Sequence, residues 1–269
     1  YGVIPFYQAC VGAGMKPIIG MITPIELEDG SVVSITLLAK NNNGYRQLIR
    51  LSSELQMEGR SGSIGKLASS TDGLIGILPL KDPTLTRLLQ ENSFQDVKAF
   101  LERLEPLFQE GDFYVGVEEQ GRLTERLRHY IDFHPVQVTA ITDVHYLEAK
   151  DVYSYDCLRK MKQGEEWEMR LTSPALQNKH VRHEVEVEEE LGAIFPEAIS
   201  ETEKIAEKCN VHLDFTQRLL PTFPLDEDVD AHTYLEKTCQ KKLLEKYGEP
   251  SPEASARLAY ELSVIQAMD

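Results

Sequence analysis

Short apolar runs alternate along this chain with stretches in which apolar residues recur every three or four positions. The first pattern predicts strands and the second predicts amphipathic helices. Residues 2–13 read as a helix ended by the Gly12–Gly14 stretch. "KPIIGMITPIEL" reads as a strand, "EDGS" as a tight turn and "VVSITLLAK" as a second strand. An Asp-Gly between two apolar runs signals a hairpin. "NNNGYRQLIRLSSELQ" follows as a helix whose leading Asn can cap free amides. "GRSGS" reads as a loop, and "RSGSIGKL" as a linker without a preceding strand. "DGLIGILPL" is a strand, with two helical stretches after it up to Phe108. "DFYVGVEE" is a strand and "RLTERLRHYIDF" a helix. "PVQVTAITDVHY" is a further strand, and "AKDVYSYDCLRKMKQG" a helix closed by Gly164.

Apolar strands separated by helices predict an α/β fold with a mostly parallel sheet. The strands are too few for a complete eight-unit barrel, so an open sheet or a barrel lacking its first strands fits. The pattern changes after Gly164. "EEWEMRLTSPALQNKH" has no period and reads as a connection, and from His183 the chain reads as helices. "PEAISETEKIAEKC" opens on a Pro suited to a first helical turn. "RLLPTFPLDED" carries prolines and no period, which makes it the expected boundary before two last helices. The opening "YGVIPFYQAC" reads as mid-helix and the last helix has no cap, so the sequence is expected to be a fragment.

Composition narrows the function. The net charge of −16 over 269 residues would repel a nucleic acid, whose binding is driven by lysine and arginine contacts to phosphate. The acidic run 184–190 reads as a solvated helix face. The four cysteines Cys10, Cys157, Cys209 and Cys239 form no C-x-x-C, which argues for reduced thiols in a cytoplasmic protein and against a zinc ribbon. No apolar run is long enough for a membrane span.

Candidate chemistry is sparse. No phosphate-binding glycine loop and no nucleophile elbow is present. "TDVHY" places Asp143 and His145 two residues apart, on one side of the expected strand. A carboxylate and an imidazole where a strand meets a loop make half a metal site; a structural pair is the alternative. His180 and His183 stand three apart, a second possible ligand pair, without a nearby cysteine.

The ordered phrases "YGVIPFYQAC", "KPIIG", "LLAKNNNGYRQLI", "DGLIGIL", "TDVHYLEAKD", "PEAISETEKIAEKCNV", "RLLPTFP" and "YLEKTCQKKLLEKYG" resemble the N-terminal region of the alpha subunit of bacterial DNA polymerase III, the C-family replicative polymerases, in the form found in low-GC Gram-positive bacteria. The resemblance covers essentially the whole chain. It implies a PHP domain, a distorted seven-stranded (β/α)7 barrel, here N-terminally incomplete and followed by a mainly helical segment. On that pattern residues 1–180 are the barrel, 181–218 a helical extension and 219–269 the beginning of the polymerase palm region.

The resemblance also implies a set of metal ligands. A His-x-His and an Asp-His pair would precede Tyr1. A Glu is expected where this sequence has Ile22, a His where it has Ser34, and a Cys or His where it has Leu80. The final Asp-x-His matches Asp143 and His145. Ile and Leu offer no donor atom, and a Ser hydroxyl poorly replaces an imidazole. The expected site is therefore residual: either no cofactor or one divalent ion (zinc, manganese or magnesium), and no catalytic residue in this stretch. The magnesium of the parent polymerase belongs to the palm beyond Asp269. The implied role is a structural or regulatory domain of a DNA-directed DNA polymerase, itself inactive. Its implied partners are the polymerase core of the same chain, replisome proteins such as the sliding clamp, and DNA through other domains. The alternatives are a metal-dependent phosphoesterase (a 3′–5′ exonuclease or pyrophosphatase) and a replisome interaction module.

Overall fold

The computed structural model describes residues 2–58, 62–63, 67, 71–119, 121–164, 176–216, 223–225 and 229–268. The chain divides into two compact units, Tyr1–Leu213 and Asp214–Asp269.

The first unit is α/β. Helix α1 spans Val3–Gly12. Strands β1 (Gly20–Glu26) and β2 (Val32–Ala39) pair as an antiparallel hairpin, with Gly20 opposite Leu38 and Glu26 opposite Val32. Its turn is built as the Asp-Gly signal requires. Gly30 takes φ 79°, and the Asp29 carboxylate accepts from the Ser31 amide at 2.9 Å. Helix α2 (Asn42–Glu58) is capped by Asn41, whose side-chain oxygen accepts from the amides of Asn43 and Gly44. The short strand β3 (Gly62–Ser63) follows and runs parallel to β1. The stretch expected to be a plain linker thus contributes a sheet edge; its other residues lie largely outside the described ones.

Strand β4 (Leu74–Pro79) leads to helices α3 (Pro83–Gln90) and α4 (Phe94–Leu104). Strand β5 (Phe113–Val117) leads to α5 (Arg122–Ile131), and β6 (Val138–Ala140) to α6 (Val152–Gln163). The six-stranded sheet has the order β3-β1-β2-β4-β5-β6. The pairing is parallel from β4 to β6, while β2 meets β4 antiparallel. The sheet is therefore mixed, because a two-strand hairpin precedes the first helical crossover. β5 is buried along its whole length and β4 nearly so, and both read as unbroken apolar runs, as strands covered on both faces do.

One large core joins the alternate residues Val33, Ile35, Leu37 and Ala39 of β2 to apolar residues of α3, α4 and α5. Helices α7 (Glu184–Leu191) and α8 (Pro196–Lys208) follow, and α8 packs against β6. Ile205 of α8 and Cys209 just after it complete a smaller cluster with Ile75, Ile77 and Tyr114. The acidic residues of α7 are exposed or half-buried, which suits a solvated face.

The second unit contains α9 (Ala231–Tyr247) and α10 (Pro252–Met268). Asp230 caps α9 by accepting from the amides of His232 and Thr233. Among the described residues no helix is long and apolar enough to cross a membrane.

Candidate functional site

The expected strand "PVQVTAITDVHY" is corrected by the structure: β6 ends at Ala140. Asp143 and His145 lie on the segment leaving the sheet. Their side chains meet nonetheless, with Nε2 of His145 3.0 Å from Oδ1 of Asp143. The segment is held by a strap formed by residues 176–182. The His145 amide donates to the Lys179 carbonyl at 2.8 Å, and the Val181 amide donates to the Tyr146 carbonyl at 3.2 Å. The Tyr146 hydroxyl donates to the Leu176 carbonyl at 2.6 Å and accepts from the Lys179 amide at 3.2 Å. Tyr155, from α6, places its hydroxyl 3.1 Å from Nδ1 of His145.

The strap also delivers charge. Nζ of Lys179 is 2.7 Å from Oδ2 of Asp143. Burial alone would raise the Asp143 pKa. The Lys179 hydrogen bond and the neighbouring charges of Lys179 and His145 outweigh it and hold the carboxyl below its ordinary value. Beside the pair lies a cavity of about 400 Å³ lined by Lys81, Glu118, Glu119, Asp143, Lys179 and Arg182, among others. Nζ of Lys81 is 2.9 Å from a carboxylate oxygen of Glu118 and 2.9 Å from one of Glu119. Burial opposes the charge on Lys81, but these two hydrogen bonds prevail and hold its pKa above the ordinary value. Arg182 is paired with Glu190.

The position of this cavity follows from the topology. Lys81 comes just after β4, Glu118 and Glu119 just after β5, and Asp143 soon after β6. These are the carboxyl ends of three adjacent parallel strands, where α/β sheets place their sites. Charged residues directly behind two apolar strand runs were a readable signal for Lys81, Glu118 and Glu119 that motif reading passed over. Lys179 had no such signal, because it arrives from more than thirty residues away in sequence (|i−j| of 36 to Asp143).

The other expected positions do not join the pair. Ser34 is exposed on β2, paired opposite Pro24, and Ile22 is 68% exposed on β1. β4 and β5 stand between these two strands and β6 in the sheet. Leu80 is buried in the large core. His180 and His183 both precede α7. His183 is its N-cap, and Nε2 of His180 lies 3.6 Å from a Glu186 carboxylate oxygen. Among the described residues no group of three or more His, Cys, Asp or Glu side chains is placed to hold a metal ion.

Residues 1–120 match the family model of the PHP domain. The chain is also similar along its length to DNA polymerase III subunit alpha from several bacteria. It is 33% identical over 278 residues to that of Bacillus subtilis, covering 100% of this chain and 24% of the relative. It is 26% identical over 280 residues to that of Halalkalibacterium halodurans, covering 100% of this chain and 24% of the relative. The Escherichia coli protein is 28% identical over 297 residues, covering 99% of this chain and 25% of the relative. The chain thus spans about a quarter of the length of the relatives it matches.

A metal centre is what the likeness to PHP domains implies, and the donors around Asp143 and His145, which lie beyond the matched residues 1–120, do not fit one. Each oxygen of Asp143 faces a nitrogen of the protein, Nε2 of His145 or Nζ of Lys179. The second ring nitrogen of His145 faces the Tyr155 hydroxyl. A ligand must offer a lone pair to the ion; these protein groups compete for the lone pairs of Asp143 and His145, and among the described residues no third His, Cys, Asp or Glu joins them.

Proposed function

We propose that this chain is the PHP region and the opening of the palm of a bacterial DNA polymerase III alpha subunit, serving DNA-directed DNA synthesis in chromosomal replication in the cytoplasm. The observation that carries the reading is the similarity to the Bacillus subtilis alpha subunit, 33% identical over 100% of this chain. In this reading residues 1–180 form the distorted barrel, 181–218 its helical extension and 219–269 the start of the palm. The PHP part is a structural or regulatory support for the polymerase core, with a degenerate metal site. Its partners are that core, replisome proteins such as the sliding clamp through the parent chain, and DNA through other domains. Magnesium-dependent chemistry belongs to the palm beyond Asp269. The net charge of −16 supports a domain that packs on the core and stays off the DNA track.

A chimera tests this. The matching quarter of the Bacillus subtilis relative is replaced by this chain, and primer extension is measured. Extension within a few-fold of the parent supports the reading; a folded, soluble chimera that does not extend primers overturns it. The isolated chain is then assayed with 3′-ended DNA and with pyrophosphate in manganese or zinc. The expected result is no hydrolysis, and turnover would favour a phosphoesterase instead.

A further inference from the structure

The structure points to a swap of cations: we propose that the ammonium groups of Lys179 and Lys81 take the place of bound metal ions at the carboxyl end of the sheet, so that the fold is closed there by fixed charges and needs no metal. That these cations stand where metal ions would rests on the polymerase PHP reading above; the ion pairs themselves stand on geometry.

Lys179 is not a free surface lysine. Its side chain is 19% exposed. Its backbone is pinned at both polar groups, the carbonyl by the amide of His145 and the N–H by the hydroxyl of Tyr146. The strap therefore presents the ammonium at a defined place, 2.7 Å from Asp143. Lys81 repeats the device, bridging two carboxylates at 2.9 Å each, as a cation shared between acidic ligands would. The charges lining the cavity balance: Glu118, Glu119 and Asp143 stand against Lys81, Lys179 and Arg182. A divalent ion entering beside Asp143 would meet an ammonium already in contact with the carboxylate, and like-charge repulsion would oppose it.

The test uses the whole chain and follows thermal melting and metal content. Wild type dialysed against zinc or manganese, then against buffer, is expected to retain no stoichiometric metal, and its melting temperature should be the same in EDTA and in either metal. Lys179→Met should lower the melting temperature by about 2–4 °C, the effect of losing a half-buried ion pair. Lys179→Arg should keep most of it. Adding Asp143→Asn to Lys179→Met should recover part of the loss, because the carboxylate left without its cation is then neutral. Stoichiometric metal in wild type, or a melting temperature raised by metal, overturns the proposal. So does a Lys179→Met melting temperature equal to wild type. If Lys179→Met does not fold, the metal content of wild type and the melting of Lys179→Arg still decide. None of these readings depends on the primer-extension result, so the two proposals can fail separately.

Discussion

The two ends of the sheet use the same chemistry in different surroundings. At the amino end of β5, Asp112 is 4% exposed and sits between Nζ of Lys40 at 2.5 Å and Nζ of Lys208 at 3.1 Å. Lys208 also donates to the Gly111 carbonyl at 2.6 Å and to the Tyr114 hydroxyl at 3.1 Å. The chain after α8 is fastened there as well. Asn42 and His212 exchange two hydrogen bonds, and the Asn210 amide donates to the Lys40 carbonyl. At the carboxyl end, Asp143 is 48% exposed and Lys81 47%, around an open cavity. A buried carboxylate without its partners is costly, whereas an exposed pair adds little. The amino end is therefore where charge supports the fold most. The carboxyl end is where an α/β fold keeps its site, and here that place is filled by the protein's own cations.

The sharpest way to break the comparison is Asp112→Ala. It leaves two partly buried ammonium groups without their carboxylate, and should cost about 3–5 kcal/mol in urea unfolding. A loss no larger than that of an exposed pair would erase the distinction. Next is Gly44→Ala, at the start of α2. A Cβ there would lie 2.0 Å from the Gly73 carbonyl oxygen, and Gly73 itself holds φ 76°. Chain must shift against chain, at about 1–3 kcal/mol, read from the same unfolding curves.

Alkaline unfolding separates burial from ion pairing. Burial, with Glu102 and Glu105 adding to it, pushes Tyr130 up from 10.0 to about 12. Between those values the unfolded chain has lost a proton that the folded chain keeps. Stability therefore falls as pH rises, by on the order of 2 kcal/mol in all. Tyr130→Phe should remove that part of the alkaline limb. The remainder belongs to lysines such as Lys208. Burial opposes its charge, yet Tyr114 and Asp112 hold its pKa above the ordinary value, so its contribution is present at neutral pH and lost above that raised pKa. The smallest effect is expected for Lys81→Met, at under about 1 kcal/mol, because Lys81 itself and its partner Glu119 are about half exposed. A cost equal to that of Asp112→Ala would put the carboxyl end in the same class as the amino end.

Much of the fold was legible along the chain. The Asp-Gly hairpin, the Asn41 cap, the apolar runs of β4 and β5 and the helix closed by Gly164 are local effects, each written within a few residues. The reading failed where a distant partner decides. β6 was expected to run on to Tyr146, but it stops at Ala140, and the strap 176–182 holds Tyr146 in its place. Gly62–Ser63 looks like linker and becomes a strand because β1 offers it an edge. The pair Asp143 and His145 was visible as a motif; the lysine that meets it was not.

The sequence by itself determined the class of fold, the places of most helices and strands, and the likeness to a polymerase subunit, because periodicity, caps and ordered phrases are properties of neighbouring residues. The tertiary structure alone decided what faces Asp143. The cation that pairs with it comes from a strap far along the chain, and only folding brings the two within a hydrogen bond.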